Sequence, residues 1–190
     1  MKEIILHILN KYLILFPEEK ERQSKLEKYL NKFNDEQITD WNNFKGHIVA
    51  SGLVYSKAEK KFLLLYHNDM KIYIYPGGHI DANDVNPLKA AIREVKEETG
   101  LVDFEVMNLT QDNLIPIDID THKNNYNERL NLPEHYHFDF RYLFVVDKIS
   151  DVKIDESESS DFKWIDINEL SNNSNFGKIV DKIKKLIYKS

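Results

Sequence analysis

The chain has 190 residues, 42% of them hydrophobic and 12% aromatic, enough for one domain with an ordinary core and a short appendage. A formal net charge of −6 argues against a general nucleic-acid binder, and no stable nucleic-acid complex is expected. With no cysteine the chain can form no disulfide, thiolate zinc site or cysteine nucleophile, and no segment approaches the roughly 20 apolar residues that span a bilayer, so a cytoplasmic protein without membrane attachment is expected.

Residues 1–44 read as helical and charged. Ile4, Ile5, Ile8, Leu9, Tyr12 and Leu15 recur at helical spacing until Pro17 breaks the helix, and Leu26, Tyr29, Leu30 and Phe33 continue the pattern in a second. The segment carries no chemical motif. It is expected to be a packing extension at 1–44 ahead of a main domain at 45–190; the sharper alternative is a homodimer surface or a wall of the substrate pocket.

From residue 46 the character changes. Residues 47–55, 61–66 and 71–75 are strand-like, rich in Val, Ile, Leu and Tyr, and the third runs into Pro76-Gly77-Gly78. Glycines there let the backbone approach a ligand closely or adopt positive φ. Asn86-Pro87 reads as an N-cap followed by proline at the first helical position, and Thr99-Gly100 as the helix end. Short strands are expected at 104–108 and 114–119, a polar loop or lid at 122–134, strands at 135–146 and 161–165, and a helix from about Asp166. Phe176, Ile179, Val180, Ile183, Leu186 and Ile187 trace the apolar face of a C-terminal helix. This order suggests an α/β (α+β) fold, a mixed sheet layered between helices.

The most informative segment is 77–101. On its helix Glu94 lies beside Glu97 and Glu98, where like charges repel. A divalent cation would offset that repulsion, and oxygen ligands suit Mg²⁺, with Mn²⁺ as the alternative. The other reading is a solvated acidic face balanced by Lys89, Arg93 and Lys96.

The run Arg93-Glu94-Val95-Lys96-Glu97-Glu98-Thr99-Gly100-Leu101 resembles the second half of the Nudix box, the signature of the Nudix hydrolase superfamily. The first half departs from the family pattern. Asp84 stands where a glutamate is usual, and one extra residue separates it from Arg93. The resemblance implies an α/β/α sandwich with a mixed sheet. It also implies hydrolysis of a nucleoside diphosphate linked to another group, such as a nucleotide sugar or a nucleoside triphosphate. The alternative is a Nudix-like module that senses a nucleotide without cleaving it, but such modules usually lose box carboxylates, and Glu94, Glu97 and Glu98 are all present.

The resemblance places metal ligands at Glu94, Glu98 and Glu97, with the backbone carbonyl of Gly77 beside them. Glu97 alternatively holds the nucleophilic water, and Arg93 is expected to orient a glutamate by a bidentate bond. A further carboxylate is expected before the late Trp164; Glu158 is the candidate ligand or general base, with Glu156 and Asp161 as competitors. Gly78 and His79 are expected to contact substrate phosphate; the alternative is that His79 simply fills the turn. His135, His137, Asp139 and Arg141 alternate along one strand and share a face. That face would bind zinc or substrate phosphate, or is simply hydrogen-bonded. Tyr73, Tyr75, Tyr136 and Phe138 would stack on a base or fill the sheet.

Overall fold

The computed structural model describes residues 1–126, 132–171 and 176–187. Two N-terminal helices, α1 (Lys2–Leu15) and α2 (Lys20–Lys32), are separated by a single 3-10 turn that begins at Pro17. Strands β1 (His47–Ser56), β2 (Lys61–His67), β3 (Ile72–Ile74) and β4 (Gly77–His79) precede the central helix α3 (Pro87–Thr99). Then come β5 (Glu105–Met107), β6 (Asp118–Asn124), β7 (His135–Val146) and β8 (Ser159–Asp166), followed by α4 (Ile167–Ser171) and α5 (Gly177–Ile187).

All eight strands join one mixed sheet. Its spine is the parallel pair β1 and β7, in register from His47↔His137 to Ser56↔Val146; every other pairing is antiparallel. Alternation along the spine assigns the two faces. Ile48, Ala50, Val54, Phe138, Phe140, Tyr142 and Phe144 pack in one cluster with α1, α2 and α3. Leu53, Tyr55, Leu143 and Val145 pack in the other with α4 and α5. The result is the expected helix–sheet–helix sandwich.

The N-terminal helices are part of this core. Ile5, Ile8, Tyr12, Leu26 and Leu30 are fully buried within the α3-side cluster. Gly52 lets α3 lie close on β1, because a Cβ there would stand 2.2 Å from Val95 Cγ2.

Two local expectations change. The strand expected at 114–119 begins at Asp118 and runs on to Asn124, taking in the start of the expected loop. Its Asp118, Asp120 and His122 face a polar region of the sheet, so no apolar alternation marks it. The rest of the expected lid includes residues 127–131, which lie outside the described residues. The glycine turn is itself a short strand, with Ala50↔Gly78 and Ser51↔Gly77 in register. Neither glycine has positive φ; both are needed for close approach instead.

Among the described residues no helix is long and apolar enough to cross a membrane.

Candidate active site

Helix α3 carries the acidic patch, and its ends are fixed locally. The Asn86 side chain accepts a 2.9 Å hydrogen bond from the Lys89 N–H, and Gly100 closes the helix in the left-handed conformation at φ 68°. Glu94 and Glu98, one turn apart, point towards β4 and are 8% and 6% exposed. The Gly77 N–H donates to Glu98 Oε1 at 2.6 Å. At Gly78 a Cβ would stand 2.6 Å from Glu94 Oε1, so only glycine leaves room for that carboxylate.

Burial of two like charges has an electrostatic cost. Desolvation pushes the Glu94 carboxyl up to about 7 against the pull of Arg93, with Glu158 and Glu97 adding to the rise. Desolvation pushes Glu98 up to about 8 despite the Gly77 hydrogen bond, and Glu94, Glu158 and Asp155 raise it further.

Arg93 is the one guanidinium seen to bond this patch among the described residues. Its Nη1 donates to Glu94 and Glu97, both at 2.9 Å, and its Nη2 to Asp84 at 2.9 Å and to the His79 carbonyl at 2.8 Å. Arg93 thus orients two glutamates through one shared nitrogen rather than by a bidentate bond to either. Asp84, shorter than the usual glutamate, holds the loop through the Asp81 N–H at 2.8 Å and anchors Arg93. Glu97 is exposed.

Glu158 is exposed and acts electrostatically on both Glu94 and Glu98. Its segment is tied to the end of α3: the Lys153 N–H donates to the Thr99 carbonyl at 2.9 Å and the Asp155 N–H to the Glu98 carbonyl at 3.3 Å. Asp161 is engaged elsewhere, accepting from the Tyr73 hydroxyl at 2.5 Å.

The predicted row on β7 divides in two. Asp139 is 2% exposed and accepts from Ser51 at 2.7 Å, Tyr75 at 3.2 Å and Arg141 at 2.8 Å. Arg141 also reaches Asp120 at 2.8 Å and lines a cavity of about 440 Å³. His137 instead joins His47 and His79, whose nearest ring nitrogens all lie within 4.8 Å of one another.

The cavity beside Arg141 is walled by Tyr73, Tyr75 and Phe176, with Asp118, Asp120 and Arg22 at its polar end. Burial pushes the Asp118 carboxyl up, but Lys182, Arg141 and Arg22 outweigh it and hold Asp118 below the usual carboxylate range. Arg22, Asp118, Asp120 and His47 are not among the candidates the sequence offers. The alternation of Asp118, Asp120 and His122 was the available signal; Arg22 and His47 arrive only through tertiary contact.

A family model described as the NUDIX domain matches residues 46–187. The chain belongs to the NUDIX family. A relative from Lactococcus lactis subsp. cremoris, named "Probable DHNTP pyrophosphohydrolase", is 36% identical over 99 residues, 52% of this chain and 54% of the relative. The chain thus spans about half the length of that curated relative. A NUDIX-family hydrolase from Clostridium perfringens is similar in structure, with a TM-score of 0.55 and 26% identity over 74% of this chain and 95% of that one. The Ap4A hydrolase of C. elegans, in a binary complex, shares the fold with a TM-score of 0.55 at 20% identity, covering 75% of this chain and 98% of the other.

Proposed function

We propose that this chain is a Mg²⁺-dependent pyrophosphohydrolase cleaving the diphosphate linkage of a nucleoside diphosphate derivative. The observation that carries the reading is the pair of buried carboxylates, Glu94 and Glu98, set against the glycines of β4. Among the described residues only Arg93 is seen to bond them with positive charge, and the donors are all oxygen. That set fits a hard divalent cation. Glu94, Glu98 and the Gly77 carbonyl would hold it, with exposed Glu97 available as a further ligand. When bound, such an ion supplies positive charge to the diphosphate and makes water easier to deprotonate.

The protein's own groups do the rest. Arg93 keeps Glu94 and Glu97 from splaying apart. Gly78, having no side chain, leaves the approach to Glu94 open. Glu158, exposed and acting electrostatically on both carboxylates, would accept the proton of the attacking water.

The cavity walled by Tyr73, Tyr75 and Phe176 suits a flat heterocycle, and Asp120 at its end would accept ring N–H groups. Together with the name of the Lactococcus relative, this favours a triphosphate of an aromatic heterocycle over a nucleotide sugar. The test is a panel of pterin and nucleoside triphosphates, nucleotide sugars and dinucleoside polyphosphates, with and without Mg²⁺, followed by ³¹P NMR. Metal-dependent release of pyrophosphate or a monophosphate supports the reading. Binding of a panel member without turnover at any Mg²⁺ concentration contradicts it.

A further inference from the structure

Strand β4 is three residues long, and its two faces meet different chemistry. Residues opposite each other in an antiparallel pair share a face. Gly78, opposite Ala50, faces α3 and its carboxylates; His79, opposite Val49, faces the other way. On that side it meets His47, whose Nε2 lies 3.0 Å from its own. His137 is the register partner of His47 across the parallel pair, and their ring centroids are 4.7 Å apart. The three imidazoles therefore come from three strands, fixed by the register of the sheet rather than by mobile loops.

We propose that His47, His79 and His137 form a second metal site, one for a Zn²⁺-class transition ion, distinct from the carboxylate site of α3. The inference does not rest on the hydrolase reading. Three imidazole nitrogens within 4.8 Å of one another can close on one ion at the usual Zn–N distance of about 2.0–2.1 Å with small ring rotations. Nitrogen donors select Zn²⁺ and its neighbours over Mg²⁺, as the oxygen donors on the opposite face do the reverse. The rings are closely packed, with His47 only 1% exposed, and imidazole binds such an ion through a ring-nitrogen lone pair.

The surroundings hold the ligands in place. The Asn124 amide lies 3.1 Å from the His137 ring nitrogens. His135 packs against both His47 and His137, at ring centroid distances of 5.0 and 4.9 Å, and its Nδ1 meets the Pro133 carbonyl at 2.7 Å. The His135 Nε2 lies 3.1 Å from the His137 Nε2, so this ring packs directly against the His137 imidazole. Three imidazoles would leave a fourth position for water.

A bound ion would act on the neighbouring site through the backbone. The carbonyl of His79 accepts from Arg93, which in turn holds Glu94 and Glu97. Pinning His79 therefore pins β4 where the carboxylates need it.

The test is equilibrium Zn²⁺ binding to the full chain with Mg²⁺ in large excess, paired with the visible spectrum of the Co²⁺ form and X-ray absorption of the Zn²⁺ form. The expected results are one Zn²⁺ per chain and a shell containing three imidazoles. At about a hundredfold excess over Kd the melting temperature should rise by about 5 °C or more. Glu98→Gln should keep this binding, and His47→Ala should weaken it at least about 100-fold while circular dichroism reports a folded chain. No stoichiometric Zn²⁺ on the wild-type protein, a shell without three imidazoles, or loss of Zn²⁺ in Glu98→Gln would each overturn the site. The wild-type absorption data decide the matter even if His47→Ala fails to fold.

Discussion

The Glu98 carboxylate accepts a 2.6 Å hydrogen bond from the Gly77 N–H, joining the last turn of α3 to the short strand β4. The bond serves geometry, while in the proposed reading the charge of the same group would serve metal binding, and the two can be separated by substitution.

Glu98→Gln retains a carbonyl oxygen to accept from Gly77 but loses the negative charge. Turnover should fall by about 10³-fold or more, because a ligand is lost where positive charge on the diphosphate is needed. Above about pH 8, where both carboxyls ionise, the melting temperature without metal should stay level or rise, since one of two buried like charges is gone. Steady-state kinetics and a thermal melt check both. A large fall in melting temperature with near-normal turnover would reverse the assignment.

The pH dependence follows from the same pair. In the unfolded chain both carboxyls titrate near 4.5; in the folded protein burial pushes Glu94 up to about 7 and Glu98 up to about 8. The native state therefore holds extra protons between these values. The stability they contribute is full below about pH 4.5 and is lost as pH rises through 7 and 8. A divalent cation needs the ionised pair and displaces those protons. Melts with and without Mg²⁺ should show a larger metal-induced rise at about pH 8.5 than at about pH 5.5. An equal rise at both would contradict the shift.

Gly78→Ala places a methyl 2.6 Å from Glu94 Oε1. The colliding atom is the end of a flexible side chain, so the fold should survive while the carboxylate is displaced. Metal affinity should drop by about 10–100-fold with little change in melting temperature. Isothermal titration with Mn²⁺ measures it.

Asp118 is 2% exposed and gathers Arg22 at 2.6 Å from α2, Lys182 at 2.8 Å from α5 and Arg141 at 3.4 Å from β7. Asp118→Ala removes the carboxylate that three cations share, but Arg22 and Lys182 keep Glu19 and Arg141 keeps Asp120 and Asp139, so it should cost about 2–3 kcal/mol rather than the full penalty of unpaired buried charges. Urea unfolding tests this. A loss under about 1 kcal/mol would show that these other partners suffice.

What the sequence made legible was local. Asn86-Pro87, the apolar spacing of α3 and Gly100 mark that helix within a few residues of themselves, so its glutamates could be placed on one face before any contact was known. The strand expected at 114–119 overlaps the observed Asp118–Asn124 only at its first two residues, because the side chains beyond them are polar, and polar alternation looks like loop when the partner cations lie elsewhere in the chain. His47 and Arg22 had no local mark at all. His47 matters only because β1 and β7 pair in parallel, and Arg22 only because α2 packs over β6, relations that periodicity does not encode. Of the two uses expected for the glycines of β4, close approach and positive φ, the structure shows the first: they carry no side chains against Ser51 and Glu94, and neither has positive φ.

In the proposed reading Glu94 and Glu98 grip a divalent cation against β4. Crystals grown with Mn²⁺ and a non-hydrolysable triphosphate, measured at the Mn absorption edge, test it most directly. An anomalous peak bounded by both carboxylates and the Gly77 carbonyl is the predicted result. Carboxylates still turned onto Arg93 and Gly77, with no anomalous scatterer between them, would contradict it.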